Sequence, residues 1–158
     1  MPAKITIVAV GRLKERYWRE AADEYCKRLT PYAKVQIAEV ADRDVSRDES
    51  AAVAAEGADV LRALQVAGSS HVVALDVGGR QISSEGLAEW LAEHDLNGRS
   101  SIAFFVGGAG GLAPDVLARA DERMSLGPMT LPHQMARVLL LEQLYRAFRI
   151  MRGEPYHR

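Results

Sequence analysis

The sequence predicts an α/β fold: one domain, residues 1–158, with an open, mostly parallel sheet flanked by helices. Three observations support this fold class. Residues 4–10 (KITIVAV) are β-branched and apolar on both faces, as in a central parallel strand. Such strand patterns alternate along the chain with patterns of helical period. A glycine-rich loop directly follows a strand, which is typical of ligand sites at the carboxyl edge of an α/β sheet.

The elements follow from hydrophobic period and capping signals. Strands are predicted at residues 4–10, 35–40, 70–76 and 101–106, with a short one near 124–126. Helices are predicted at residues 15–29, 46–65, 84–94, 114–121 and 134–151, the second beginning at a capping box of Ser46 and Glu49. Gly78 and Gly79 are expected to turn the chain after the third strand. The last helix is apolar on more than one face, which favours a second subunit as its outer partner.

Composition narrows the function classes. The single Cys26 excludes a disulfide scaffold and a Cys-based zinc site, and it fits a reducing cytosol. No run of 18 apolar residues occurs, and the first residues lead into a strand, so we expect a cytoplasmic protein without a membrane segment. The net charge is −1, made up of +4 in residues 1–34, −8 in residues 35–132 and +3 in residues 133–158. The two ends either meet as a basic face or are ordinary solvated helix faces.

Two loops at predicted strand ends point to a small-molecule pocket built mostly from main chain, residues 107–111 and 126–131. Residues 108–113 match G-x-G-x-x-A, which suggests an NAD-dependent oxidoreductase as one alternative. Only 45 residues follow this motif, too few for two mononucleotide-binding halves. The acidic residue expected about 20 residues after the motif, which would bind the ribose, is also missing. No G-x-x-x-x-G-K-[ST] phosphate loop is present. A neutral or cationic nucleoside is therefore the better candidate.

Polar residues near these loops each have more than one interpretation. Asp76 ends a strand, where it either accepts hydrogen bonds from a ribose or loop amides, or caps a turn. His133 begins the last helix as a cap, a packing group or a catalytic group. The final residues, Tyr156, His157 and Arg158, either fray or lie over a pocket and contact a charged, planar substrate.

Several motifs together resemble a known family. They are Gly107-Gly108-Ala109-Gly110-Gly111, Met129-Thr130-Leu131-Pro132-His133, the run of residues 137–147 (RVLLLEQLYRA), the terminal Pro155-Tyr156-His157-Arg158 and the opening KITIVAVGRLK. In this order they resemble the ribosomal RNA large-subunit methyltransferase H group of the SPOUT knotted methyltransferases. The resemblance spans the whole chain and is densest in the last 55 residues.

The resemblance implies an α/β fold whose C-terminal segment threads a trefoil knot, an exception to ordinary topology. It also implies S-adenosylmethionine as the cofactor, an obligate homodimer that completes the site, and no metal. Carried onto this sequence, the cofactor-binding residues are Leu75, Gly107, Gly108, Leu126, Gly127, Pro128, Met129, Thr130 and Leu131. Pro128 lacks an amide donor, so main-chain contacts there are less secure than at the glycines.

The implied substrate is N3 of a pseudouridine in 23S rRNA within the assembled ribosome. His157 is the candidate general base or proton relay, because an imidazole titrates near neutral pH. Arg158 would stabilise the developing imide anion or hold a phosphate, and Tyr156 would stack on a base. Candidate RNA contacts are Arg12, Lys14, Arg16, Arg19, Arg137, Arg146 and Arg149. The alternative is a non-catalytic ribosome-binding or assembly factor on the same fold.

Overall fold

A parallel sheet runs through the centre of the computed structural model, which describes residues 3–68 and 71–156. Within these residues the strands are β1 (Ala3–Val10), β2 (Ala33–Val40), β3 (His71–Gln81), β4 (Ser101–Val106) and β5 (Glu122–Ser125). The helices are α1 (Arg16–Leu29), α2 (Glu49–Ala67), α3 (Ser84–Leu96), α4 (Pro114–Arg119) and α5 (His133–Met151). The strand order is β2-β1-β4-β3-β5, and each neighbouring pair is parallel. The predicted α/β class is confirmed.

Both faces of the sheet are covered by helices, which explains why β1 and β4 are mostly apolar on both faces. Ile5 and Ile7 of β1 and Phe104 of β4 face one apolar cluster, which includes residues of α1, α3 and α5. Val8 of β1 and Phe105 of β4 face the other cluster, which includes residues of α2 and α4. Burying apolar surface on both faces contributes about 25 cal/mol per Å² and fixes the central strands.

Local signals misplaced two features. Asp48, not Ser46, caps α2: its carboxylate accepts the backbone N–H of Ala51 at 3.0 Å, and the helix begins at Glu49. Asp is at least as good an N-cap as Ser, so the two candidates could not be ranked by residue type. The ends of the other predicted elements differ from the observed ones by up to three residues, apart from the extension of β3, and β4 matches at both ends.

The turn predicted at Gly78 and Gly79 was wrong, because β3 continues through both glycines to Gln81. The pairing of β3 with β5 shifts register between Leu75 and Arg80, both of which align with Met124, so the residues between them form a bulge. A Cβ on Gly79 would lie only 2.7 Å from the carbonyl carbon of Arg123. Gly79 therefore allows the backbones of β3 and β5 to approach closely, and it does not mark a turn of the chain.

Helix α5 packs on the sheet between α1 and α3, with its inner face formed by Leu140, Leu141, Leu144, Ala147 and Phe148. Its outer face keeps apolar side chains that are only half covered, among them Met135, with 37% of its surface exposed. The second subunit expected on this face stays a prediction, as does the threading of the knot.

Candidate cofactor pocket

The carboxyl ends of β3, β4 and β5 and the first turn of α5 enclose a pocket of about 600 Å³. Eight of the nine residues predicted to bind the cofactor line it: Leu75, Gly107, Gly108, Leu126, Gly127, Met129, Thr130 and Leu131. Pro128 is not among the lining residues. Two loops separated in sequence by α4 and β5 thus meet at one edge of the sheet, where α/β folds hold ligands.

One wall of the pocket is the glycine loop of residues 107–111, in which three of the four glycines are packed too closely to carry a side chain. A Cβ on Gly107 would lie 2.8 Å from the carbonyl carbon of Gly111, and one on Gly110 would lie 2.6 Å from Val53 Cγ2 of α2. The Gly111 N–H also donates to the Gly108 carbonyl at 3.1 Å, with Gly111 at a φ of 80°. The loop therefore presents main-chain groups at a fixed position.

The opposite wall, residues 126–132, is more open. Gly127 has a φ of 143°, but a Cβ added there would meet no atom within 4 Å. The buried Ser125 hydroxyl donates to the Gly127 carbonyl at 2.8 Å and so holds the start of this wall. Further on, Met129 has 76% of its surface exposed.

The charge of the lining selects the ligand. Among the described residues that line the pocket, Asp76 is the one acidic side chain, and none is Lys or Arg. An apolar lining with a single carboxylate and many main-chain groups suits a neutral or cationic nucleoside and offers no cation for a phosphate. A sulfonium compound such as S-adenosylmethionine fits this donor set.

A second carboxylate, which sequence analysis missed, lies under the glycine loop. Glu56 of α2 is 2% exposed, and its Oε2 accepts the backbone N–H of Arg43 at 2.7 Å. Its Oε1 has no hydrogen-bond partner among the described residues and lies 3.7 Å from where a Cβ on Gly108 would be. The sequence did carry a signal for this burial. Glu56 lies at helical spacing among the apolar residues Val53, Val60 and Leu64, which form the buried face of α2.

His133 and Arg137 fix the first turn of α5 beside the pocket. His133 lines the pocket, and its Nε2 lies 3.7 Å from where a Cβ on Gly11 would be. One turn later Arg137, only 1% exposed, donates to the Gly11 carbonyl at 2.7 Å and forms an ion pair with Glu39. The pocket is thereby joined to the ends of β1 and β2.

Comparison with known proteins identifies the family of this chain. A family model described as "Predicted SPOUT methyltransferase" matches residues 3–157. The chain belongs to the SPOUT methyltransferase family. It is therefore an enzyme of a class that uses S-adenosylmethionine, and the NAD-dependent alternative is set aside.

Two curated relatives match almost end to end. The ribosomal RNA large subunit methyltransferase H of Carboxydothermus hydrogenoformans is 48% identical over 160 residues, covering 98% of this chain and 99% of the relative. The protein of the same name from Symbiobacterium thermophilum is 49% identical with the same coverage. Among solved structures, a probable methylase family protein from Haemophilus influenzae is similar in fold, with a TM-score of 0.57 and 17% identity. That match covers 94% of this chain and 66% of the other.

Tyr156 of this SPOUT methyltransferase packs on the second half of α5 and is not among the residues that line the pocket. Its hydroxyl donates to Glu142 Oε1 at 3.2 Å, its ring meets Tyr145 edge-on, and the Arg146 guanidinium lies 4.8 Å above it. Burial, together with the nearby Glu142 carboxylate, raises the pKa of Tyr156 to about 12. His157 and Arg158 lie outside the described residues.

The seven arginines and lysines predicted to contact RNA fall into two groups. Arg12, Lys14, Arg16 and Arg19 are exposed in and just after the loop between β1 and α1. Arg137 is buried, as described above, and therefore cannot reach a phosphate. Arg146 pairs with Glu142, and Arg149 donates to Tyr32, Glu154 and the Pro155 carbonyl. Arg137 therefore holds the protein together, whereas RNA contacts by Arg146 and Arg149, whose side chains are 24% and 21% exposed, stay a prediction.

In the part of the chain that the structure describes, no helix combines the length and apolarity needed to cross a membrane.

Proposed function

We propose that this chain transfers a methyl group from S-adenosylmethionine to N3 of a pseudouridine in 23S rRNA, presented by the assembled ribosome in the cytoplasm. The pocket carries this proposal. Eight of the nine candidate cofactor residues converge there, around a lining that has one carboxylate and no Lys or Arg within residues 3–68 and 71–156. The names of the two curated relatives support ribosomal RNA of the large subunit as the substrate class.

For this reaction the protein must align N3 of the pseudouridine with the methyl group of the cofactor and remove the proton from N3. When bound, S-adenosylmethionine supplies a methyl group that is already activated by its positive sulfur. The glycine loop would hold the cofactor against the sheet edge, so that N3 approaches in line with the methyl group. We assign the N3 proton to His157, as base or relay, and the developing imide charge to Arg158. Tyr156 would position these two residues or stack on a neighbouring base.

A homodimer would bring the C-terminal residues to a pocket. Tyr156 is bonded to Glu142, nine residues or about 13 Å along α5 from His133 at the pocket edge. The outer face of α5 near the pocket exposes or half exposes Met135, Val138 and Leu139. Covering this face with a second copy would bury apolar surface and set the tail of one subunit near the pocket of the other. We expect Leu139→Arg to give monomers in sedimentation, while Leu96→Arg, at an 86% exposed position of α3, leaves the dimer intact.

The exposed basic loop gives the RNA a docking surface beside the pocket. Arg12 follows Gly11, whose Cα lies near His133 and whose carbonyl binds Arg137. With a net charge of −1, the protein should bind free RNA weakly and with strong salt dependence. The shape of the ribosome would then supply what charge does not.

The test is transfer of labelled methyl from S-adenosylmethionine to ribosomes that lack the modification, compared with protein-free 23S rRNA. We expect transfer to a single pseudouridine in intact ribosomes and much lower transfer to the free RNA. Equal transfer to both would contradict presentation by the ribosome. Binding to ribosomes with no transfer would instead favour the non-catalytic factor.

A truncation that removes residues 157 and 158 separates chemistry from cofactor binding. We expect it to lose methyl transfer but to keep the rise in melting temperature that S-adenosylmethionine causes. A ligand at 100 times its Kd stabilises a protein by about 2.7 kcal/mol, which is several degrees for a domain of this size. Full activity of the truncated protein would overturn the assigned roles of His157 and Arg158.

A further inference from the structure

A second cluster of polar side chains lies at the amino-terminal ends of β3 and β5, away from the pocket. His71 begins β3, Glu122 begins β5, and His94 lies in the last turn of α3. His71 Nε2 is 2.6 Å from Glu122 Oε2, and His94 Nε2 is 3.8 Å from the same oxygen. One ligand atom from each residue lies within 4.8 Å of the other two.

The neighbours of this cluster hold its carboxylate in place. Trp90 Nε1 donates to both oxygens of Glu122, at 3.1 and 3.0 Å, and Asp121 Oδ2 lies 3.7 Å from His71 Nδ1. Metal-binding carboxylates and imidazoles are commonly oriented by such outer contacts. Arg80 brings a positive charge beside the cluster, which opposes a bound cation. Its guanidinium is 3.8 Å from Glu122 Oε1, and its side chain is 65% exposed.

Within the described part of the chain, the burial of His94 is not accompanied by hydrogen bonds to its imidazole ring. It is 6% exposed, yet its Nδ1 has no hydrogen-bond partner among residues 3–68 and 71–156. Its Nε2, at 3.8 Å from Glu122, is beyond hydrogen-bond distance. Its Nε2, which faces the Glu122 carboxylate, is therefore the atom placed to bind a ligand.

The donor set suits a metal. Two imidazoles and a carboxylate, contributed by three different elements with one ligand atom of each within 4.8 Å of the others, are the donors of many three-residue zinc sites.

We propose that His71, His94 and Glu122 bind one divalent transition-metal ion of the Zn²⁺ class. Zn²⁺ binds nitrogen at about 2.0–2.1 Å and carboxylate oxygen at about 2.0–2.2 Å. The ion would therefore replace the hydrogen bond between His71 Nε2 and Glu122 Oε2, whose proton would leave to solvent, and these two atoms would move apart while the His94 ring moves inward. Water would complete four-coordination through the partly exposed Glu122 side. The ion would link α3, β3 and β5, the last two of which also carry residues of the pocket. The site is independent of the proposed methyl transfer.

The test is Zn²⁺ titration of the untagged, full-length protein after chelator treatment, followed by calorimetry and by melting temperature. We expect about one Zn²⁺ per chain and a rise of several degrees in melting temperature at saturation. Glu122→Gln keeps an acceptor for Trp90, and His71→Asn changes a residue at the strand end. Each should weaken Zn²⁺ binding by about tenfold or more, with an unchanged circular dichroism spectrum.

His133→Asn is the matched control, because it removes a histidine at the other edge of the sheet. It should bind Zn²⁺ as tightly as the unaltered protein. Visible absorption of a four-coordinate Co²⁺ complex, lost in Glu122→Gln, gives a second readout of the same ligands. Absence of stoichiometric binding, unchanged affinity in both ligand variants, or an equal loss in His133→Asn would overturn the proposal.

Discussion

The two walls of the pocket differ in how firmly the protein holds them. In the glycine loop, a Cβ on Gly107, Gly108 or Gly110 would come within 3 Å of another atom. In the opposite wall, a Cβ on Gly127 meets nothing, and Met129 is mostly exposed. One wall is thus a fixed main-chain surface, and the other is free to adjust once a ligand or a second subunit arrives. Preorganising one wall limits the ordering cost of binding to the other.

The largest effect should come from releasing the far end of the open wall. Arg137→Met removes the donor to the buried Gly11 carbonyl and the cation that pairs with the partly exposed Glu39. We expect the free energy of unfolding in urea to fall by about 2–3 kcal/mol, because the buried carbonyl loses its charged hydrogen-bond donor. Arg12→Met, one residue after Gly11 and exposed, is the control and should change it by less than about 0.5 kcal/mol. Similar losses in both variants would mean that the buried guanidinium has no special role.

Next in size is Gly107→Ala in the fixed wall. The new methyl group would lie 2.8 Å from the Gly111 carbonyl carbon, so the loop must shift at a cost of about 1–3 kcal/mol in unfolding free energy. The melting-temperature rise with S-adenosylmethionine should disappear as well. Gly78→Ala, where the nearest atom is at 3.4 Å, tests whether any added methyl has this effect. A stable Gly107→Ala protein that still binds the cofactor would show that this wall is not fixed.

A smaller effect is expected for Gly127→Ala in the open wall. Only the φ of 143° opposes a Cβ there, and the loop has room to relax, so we expect a loss of about 1 kcal/mol in stability. Cofactor affinity, measured by calorimetric titration, should fall because relaxation moves the wall. A stability loss equal to that of Gly107→Ala would erase the distinction between the two walls.

The smallest effect should follow Met129→Ala. Because the side chain is 76% exposed, stability should change by less than about 0.5 kcal/mol. If Met129 covers bound cofactor, as we expect, the truncation removes about 1 kcal/mol of apolar contact and weakens binding by about fivefold in the same titration. Unchanged affinity would remove Met129 from the cofactor site.

Local patterns were sufficient for the fold and for the position of the pocket. A glycine run after the apolar strand Ser101–Val106 has few structural meanings, and parallel strands bring their carboxyl ends to one edge. The same reasoning failed at Gly79, because a glycine required by a neighbouring backbone looks the same in sequence as one that turns a chain. Which of the two holds depends on the alignment of β3 with β5, more than 40 residues later.

Pairing across long stretches of sequence accounts for the other failures. Arg137 was predicted to contact RNA as part of the basic C-terminal segment, but its guanidinium is buried and pairs with Glu39, 98 residues earlier. Likewise, no short motif joins His71 to Glu122, which are 51 residues apart and meet only because β3 and β5 are neighbours. These contacts form only when the sheet folds, so the periodicity of apolar residues in the sequence could not predict them.

The bond between Arg137 and Gly11 also bears on how the protein is made. It joins positions 126 residues apart, and β1 likewise pairs with β4, with Lys4 aligned to Ser101. A ribosome adds about 5–20 residues each second, so Gly11 is synthesised many seconds before the arginine that binds it. The pocket therefore cannot close around Gly11 and the first turn of α5 until residues 133–137 have been synthesised.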